Sequence, residues 1–224
     1  MSLTTKDVNR ILEIDDSYKA PARLMEILFD REQRESVFKQ FLEIDCDLDK
    51  DCFYQYFQEE HAERKKYAQD FTQSTIGQLL SELGGGDSGM NLDVAAGTGG
   101  LTIQKWVKDK YSTSFFSYRP SMFFYQCEEL SDRAIPFLLF NLLIRGMNAT
   151  VVHGDVLTRE VKNVYFIQNT KECYLAFSDL NVMPRSEMVE QEFNVVQWID
   201  EGHEEHIEST EMPVFLSGYY EGEM

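Results

Sequence analysis

An α/β protein is predicted, a parallel sheet with helices on both faces, preceded by a helical N-terminal region. Three observations predict it. From Met90 onward, short apolar runs alternate with helical stretches, the signature of strands joined by crossover helices. Before residue 80, apolar residues recur at three- and four-residue intervals among charges, which is the pattern of amphipathic helices. Early in the second region lies LDVAAGTGG, residues 92 to 100, a strand-to-helix turn with almost no side chain.

In the first region Leu12, Leu24, Ile27, Leu28, Val37, Phe38, Phe41 and Leu42 carry the helical spacing. Pro21 ends one segment and opens the next. A further helix is expected from about residue 51 to 67. Another is expected to start near residue 74 and to stop at GGGDSG, residues 84 to 89, where glycines terminate it. Beyond, strands are expected at NLDVAA, residues 122 to 129, 149 to 157 and 161 to 169, with helices at 101 to 110 and 132 to 145. After residue 169, FNVVQWI (193 to 199) and PVFLSGYY (213 to 220) read as strands antiparallel at the sheet edge. The domain reading is a helical region over 1–66, a ligand-binding α/β domain over 67–185 and an acidic segment over 186–224.

Composition narrows the function classes. Hydrophobic content of 43% with 13% aromatic residues suits a folding chain. No run approaches the ~18 apolar residues of a membrane span, and the N-terminus lacks the apolar stretch of a signal peptide, so a cytoplasmic location without a membrane partner is expected. Net charge is -18. Residues 186 to 224 hold eleven Asp and Glu and no Lys or Arg. A segment so acidic repels phosphate and is a poor surface for DNA contact. It suits solubility, a basic protein partner, or mimicry of DNA charge. Cys46, Cys52, Cys127 and Cys173 show no CxxC spacing and read as buried free thiols.

The glycine turn sets the ligand expectation. Gly97, Gly99 and Gly100 let the backbone turn tightly and a ligand approach the main chain, with the N-terminal amides of the next helix pointing at it. Asp93, near the carboxyl end of the first strand, can accept from an amine or hydroxyl. The second strand ends in Glu128-Glu129, where an acid can accept both hydroxyls of a ribose. The third ends in Gly154-Asp155, where an aspartate can receive a base amino group. Turn, acid and aspartate on successive strand ends suit an adenosine-containing ligand.

These residues also carry a resemblance. DVAAGTGGL is similar to the D-x-A-x-G-T-G-G motif of S-adenosylmethionine-dependent DNA adenine methyltransferases, above all the M (modification) subunit of type I restriction-modification systems. CEELSDRAIPFLLFNLLIRGM (127 to 147) resembles that family's acid-ended strand and its N-L-L-x-x-G helix. HGDVL (153 to 157) resembles its G-D-[ST]-L segment, and YAQDFT (67 to 72) its F-T-P motif. The resemblance implies a Rossmann-like class I methyltransferase fold in shortened form and S-adenosylmethionine as cofactor. It further implies that Phe71, Thr72, Asp93, Ala95, Gly97 and Gly99 hold the methionine end, Glu129 the ribose, and that Asp155 lies by the adenine.

The same family transfers its methyl group with an [DNS]-P-P-[YFW] motif after the fourth strand. The side-chain oxygen and a backbone carbonyl accept protons from a poorly nucleophilic amine, while an aromatic ring stacks on the flipped base. Here the matching segment reads IQNTKECY, residues 167 to 174. Asn169 stands for the polar first residue, and both prolines and the aromatic are replaced. No NPP or DPP tripeptide occurs, and Gln73 follows Thr72 where the family has proline. The 55 residues after Asn169 leave no room for a target-recognition region, so DNA is expected as a partner only through another subunit. Two readings follow: a cofactor-binding methyltransferase-like protein with a degenerate catalytic loop, or a silent pseudo-methyltransferase acting as an interaction or anti-restriction module.

Other stretches carry ligand-like spacings of their own. DCDLDKD (45 to 51) spaces acids like a calcium loop, yet Lys50 stands at the sixth position and Tyr56 at the twelfth, where glycine and glutamate are required. An acidic turn that Asp49 or Asp51 caps is the expectation. His203 and His206 in HEEH have no third ligand in a defined place, and no metal site is expected. His153 lies beside the third strand end, as pocket wall or structural histidine alike. FFSYRPSMFFY (115 to 125) reads as core and the approach to a strand, with Arg119 its one cation.

Overall fold

The computed structural model describes residues 3–54, 56, 90–114, 116–199, 202, 203 and 205–209. By internal contacts the chain forms two compact units. The first holds the described residues up to 56 with Ala96–Lys108 and Ser131–Asn141. The second holds residues 90–95, Asp109–Leu130 and the described residues from 142 onward.

The first unit begins with three helices, α1 (Thr5–Leu12), α2 (Ala20–Phe29) and α3 (Arg31–Ile44). Thr4 opens α1 with a capping box shared with Asp7, so two orphan amide donors are satisfied reciprocally. Pro21 sits in the first turn of α2, as its spacing predicts. Asp30 ends α2 and caps α3, accepting from the Gln33 amide at 3.0 Å. Two later helices contribute their first parts to this unit, α4 (Gly100–Ser112) and α5 (Ile135–Ile144).

Aromatic rings hold the helices together. Phe140 of α5 lies 4.7 Å from Phe38, 4.8 Å from Phe41 and 4.9 Å from Phe53, edge-on or tilted. Phe53 also meets Phe137 at 4.8 Å. These five rings are fully buried or nearly so, and such offset pairs add about 0.5–1.5 kcal/mol each beyond area burial. The acidic run before Phe53 folds on itself. Asp45 accepts from the Asp47 amide, Asp47 from the Asp49 amide, and Asp51 from the Phe53 amide. The expected helix from residue 74, and PVFLSGYY, lie outside the described residues.

The second unit is built on a six-stranded sheet: β1 (Met90–Val94), β2 (Phe124–Glu129), β3 (Ala149–Gly154), β4 (Glu160–Gln168), β5 (Asp179–Val182) and β6 (Gln197–Trp198). The order is β1-β2-β3-β4-β5, with β6 on β4. The protein is thus mixed α/β, and three of the five strand pairings are parallel. One expectation is corrected. The fourth strand is antiparallel to β3, because only residues 155–159 separate the two and a parallel crossover needs a dozen or more. β5 is antiparallel to β4 in turn. FNVVQWI yields only β6, parallel to β4 and not antiparallel. Phe193 instead ends a short helix, α6 (Glu187–Glu192), that Ser186 caps.

α6 seats Val189 and Phe193 against Val152, Val161 and Val164 of β3 and β4. Asn181 of β5 uses its side-chain oxygen to accept from the Glu208 and Ser209 amides at 2.8 and 3.0 Å, and Val182 donates to the His206 carbonyl. That segment covers the outer edge of β5, where unpaired backbone groups would otherwise be exposed. Tyr125 of β2 donates to Asp109 at 2.8 Å. Burial first, then the Asp109 carboxylate, pushes this phenol far above its ordinary range. Two compositional expectations also change. Only Cys127 is buried, Cys46 is exposed, and none of the four cysteines forms a disulfide. Phe116 faces solvent at 87% exposure, so the aromatic cluster is not core throughout. No described helix is long and apolar enough to cross a membrane.

Candidate functional site

Parallel pairing in register brings three predicted residues to one end of the sheet. Asp93 pairs with Cys127, Val94 with Glu128, and Glu129 with His153. Asp93, Glu129 and Asp155 therefore stand at the carboxyl ends of neighbouring strands, the edge where α/β sheets hold ligands. Ala95 follows β1 by one residue and adopts φ 64°, a left-handed conformation uncommon without glycine.

The two acids closing β2 have different surroundings. Successive side chains point to opposite faces, so Glu128 and Glu129 cannot share a role. Glu128 is buried and accepts from Arg159 at 2.7 Å and 3.4 Å, with Gln126 donating at 3.3 Å. The same guanidinium donates to the carbonyls of Phe193 and Asn194. Arg159 thus ties the end of β2 to the residues after α6, and Glu128 is held in that tie. Glu129 is also buried, on the face that His153 shares.

Asp155 has a local duty. Its Oδ1 accepts from the Leu157 amide at 2.8 Å and the Thr158 amide at 3.3 Å, which shapes the turn into β4. Half of its carboxylate is committed to that turn. His153 is buried beside the bulge at His153 and Gly154.

The turn itself belongs to the first unit from Ala96 onward. Gly97 and Gly99 have φ of 59° and 94°, values that favour glycine. The Gly99 amide donates to the Ala96 carbonyl at 2.9 Å, and Ile103 donates to Gly99 at 2.8 Å as α4 begins. A Cβ on Gly99 would stand 2.8 Å from Leu138 Cδ1, whereas one on Gly100 would meet nothing within 4 Å. Thr98, between the two strained positions, donates to Asp51 at 2.6 Å, while its carbonyl accepts from Asn141 at 2.8 Å.

Asn169 stands elsewhere. Because β4 runs antiparallel, its last residues lie beside the start of β3, with Ala149 paired to Ile167. The Asn169 amide donates to Asn148 Oδ1, and its Nδ2 donates to the carbonyls of Gly146, Cys173 and Ala176. It is 2% exposed and lies at the opposite end of the sheet from Asp93, Glu129 and Asp155. Its carboxamide ties its own loop together. Phe71 and Thr72 lie outside the described residues.

The remaining stretches have simple partners. His206 meets Glu208 at 3.0 Å, and the His203 ring lies 6.0 Å from that of Tyr165. Arg119 donates to the carbonyls of Phe116 and Tyr118. No cluster of three or more metal-ligating side chains occurs among the described residues. Sequence reasoning missed Arg159, which has no motif around it. It also missed the parts played by Asp51 and Asn141, although both lie in stretches it singled out. No family model, characterised protein or solved structure matches the chain.

Proposed function

We propose that this chain binds S-adenosylmethionine as a methyltransferase-like protein related to the DNA adenine-N6 enzymes of restriction-modification systems. The observation that carries the reading is Glu129. It closes a strand parallel to the glycine-turn strand and is buried on the sheet face opposite Glu128. A buried carboxylate at that position suits a pair of ribose hydroxyls. Asp93 and Ala95 suit the amino-acid end of the ligand, and Gly97 and Gly99 follow directly in the chain at positive φ. Calorimetry with S-adenosylmethionine and its demethylated product tests this. Saturable binding that weakens about tenfold or more in Glu129→Ala, roughly the ~1.4 kcal/mol of one good polar contact, is expected. No heat at high micromolar concentration overturns it.

A second reading has an observation of its own: binding without methyl transfer. Asn169 is locked into its own loop at the far end of the sheet, which leaves the amine-accepting group of the family without a counterpart among the described residues. In this reading the protein is a pseudo-methyltransferase, reaching DNA only through a partner subunit. Its acidic C-terminal segment meets a basic protein or competes as a mimic of DNA charge. Transfer of a labelled methyl group to duplex DNA decides against it. A salt-weakened complex with a basic nuclease or specificity subunit decides for it.

A further inference from the structure

Thr98 is the one residue between two glycines that both sit at positive φ. Glycine backbone is costly to order because it has most freedom to lose, so the turn needs an external hold to keep one shape. That hold is a closed set of hydrogen bonds. Asp51 Oδ2 accepts from the Thr98 hydroxyl at 2.6 Å, and Asp51 Oδ1 accepts from Asn141 Nδ2 at 2.7 Å and from the Phe53 amide at 2.9 Å. Asn141 Nδ2 also donates to the Thr98 carbonyl at 2.8 Å, and its Oδ1 accepts from the Cys52 amide at 3.4 Å. Thr98 is 2% exposed and Asn141 fully buried. Both the side chain and the main chain of Thr98 are therefore fixed.

We propose that Asp51 and Asn141 are positioning residues that hold the glycine turn in its ligand-ready shape, making the segment before Phe53 a working part of the cofactor site. The proposal rests on the cofactor reading for its ligand, but the hold itself belongs to the free protein. Preorganising a loop removes an ordering cost that the ligand would otherwise bear, so loosening Thr98 weakens binding without removing any ligand contact. Asp51 also has an electronic requirement. It offers two acceptor oxygens to three donors, and alanine leaves the buried Thr98 hydroxyl and Asn141 amide without them. Asparagine keeps the geometry, since its oxygen still accepts from Asn141 and Phe53 while its nitrogen donates to a reoriented Thr98 hydroxyl.

Hydrogen exchange and calorimetry on the full chain test this together. In Asp51→Ala, amides 97–100 should exchange about tenfold faster with those of β2 and β3 unchanged, and the S-adenosylmethionine Kd should rise about tenfold. Asp51→Asn should recover most of both effects. Thr98→Val, which removes only the hydroxyl, serves as the second variant if Asp51→Ala does not fold, with the same exchange expected. Unchanged exchange at 97–100 in a folded variant, or acceleration spread equally over the sheet, overturns the positioning role. If the wild-type chain binds no cofactor, the cofactor reading fails and the exchange data alone decide the hold.

Discussion

Asn169 and Gly146 are joined by a 3.0 Å hydrogen bond from the asparagine carboxamide to the glycine carbonyl. Gly146 is at φ 63°, and a Cβ there would collide with the Ala176 carbonyl and crowd Asn169 Nδ2, 2.7 Å away. Gly146, just beyond α5, thus makes room for the loop that Asn169 ties, and the pair gives the segment from residue 167 to 174 a structural part.

Asn169→Ala should destabilise the fold by about 1–3 kcal/mol, because one buried and two part-buried carbonyls lose a donor, with any affinity for S-adenosylmethionine unchanged. Gly146→Ala should cost about 2–3 kcal/mol through strain and collision. Urea unfolding beside calorimetry checks both. A tenfold loss of affinity in Asn169→Ala would place this residue in the site after all.

Removing Arg159 should reveal the buried charge of Glu128. Its side chain is 22% exposed and that of Glu128 is 6% exposed, so Arg159→Ala should cost about 2–4 kcal/mol, less than a fully buried pair. Glu128→Gln should cost under about 1.5 kcal/mol, since an amide oxygen still accepts from the guanidinium. The Glu128→Ala, Arg159→Ala double variant should fall well short of the sum of its singles. Additive costs in chemical unfolding would mean that the pair contributes nothing.

The turn glycines should differ sharply. Gly99→Ala places a methyl against Leu138 at a positive φ and should lower stability by about 1–3 kcal/mol. Gly100→Ala has open space and stands at the start of α4, so it should be neutral or slightly stabilising. Thermal melts of the two variants side by side are sufficient. Equal losses would show that the spacing of glycines, rather than the geometry at each, is what matters.

Acid should weaken the first helix through Asp7. Its carboxyl pKa lies below 3.8, chiefly through hydrogen bonds from the Thr4 hydroxyl and then the Thr4 backbone amide. A pKa depressed in the folded state contributes stability that is present above the unfolded value and is lost as pH falls through the folded one. The stability gap between wild type and Asp7→Asn should therefore shrink below about pH 4. A constant gap on acidification would show that the carboxylate charge plays no part in the cap.

Local pattern made much of the fold legible. Pro21, the apolar spacing through Phe41 and the strand texture from Met90 sufficed for α1 to α3, β1 to β3, α4 and α5. These elements follow from rules that act over a few residues: helix periodicity, proline geometry and apolar alternation. The direction of β4 was partly legible as well, since the gap after HGDVL is too short for a crossover. β5 and α6 were not foreseen, because DLNV and EMVEQE are short and their burial depends on partners distant in the chain.

For the site, the chain alone named the turn, Asp93, Glu129 and Asp155, since each marks a strand end by type and position. Tertiary structure decided their standing. Parallel register aligned them at one edge, and Arg159 separated Glu128 from Glu129 across 31 positions of sequence. Antiparallel pairing carried Asn169 to the other edge, and Asp51 and Asn141 reached Thr98 from 47 and 43 residues away. Side-chain chemistry and local spacing are written in neighbouring residues. Which oxygen meets which donor depends on contacts that exist only once the chain has closed on itself.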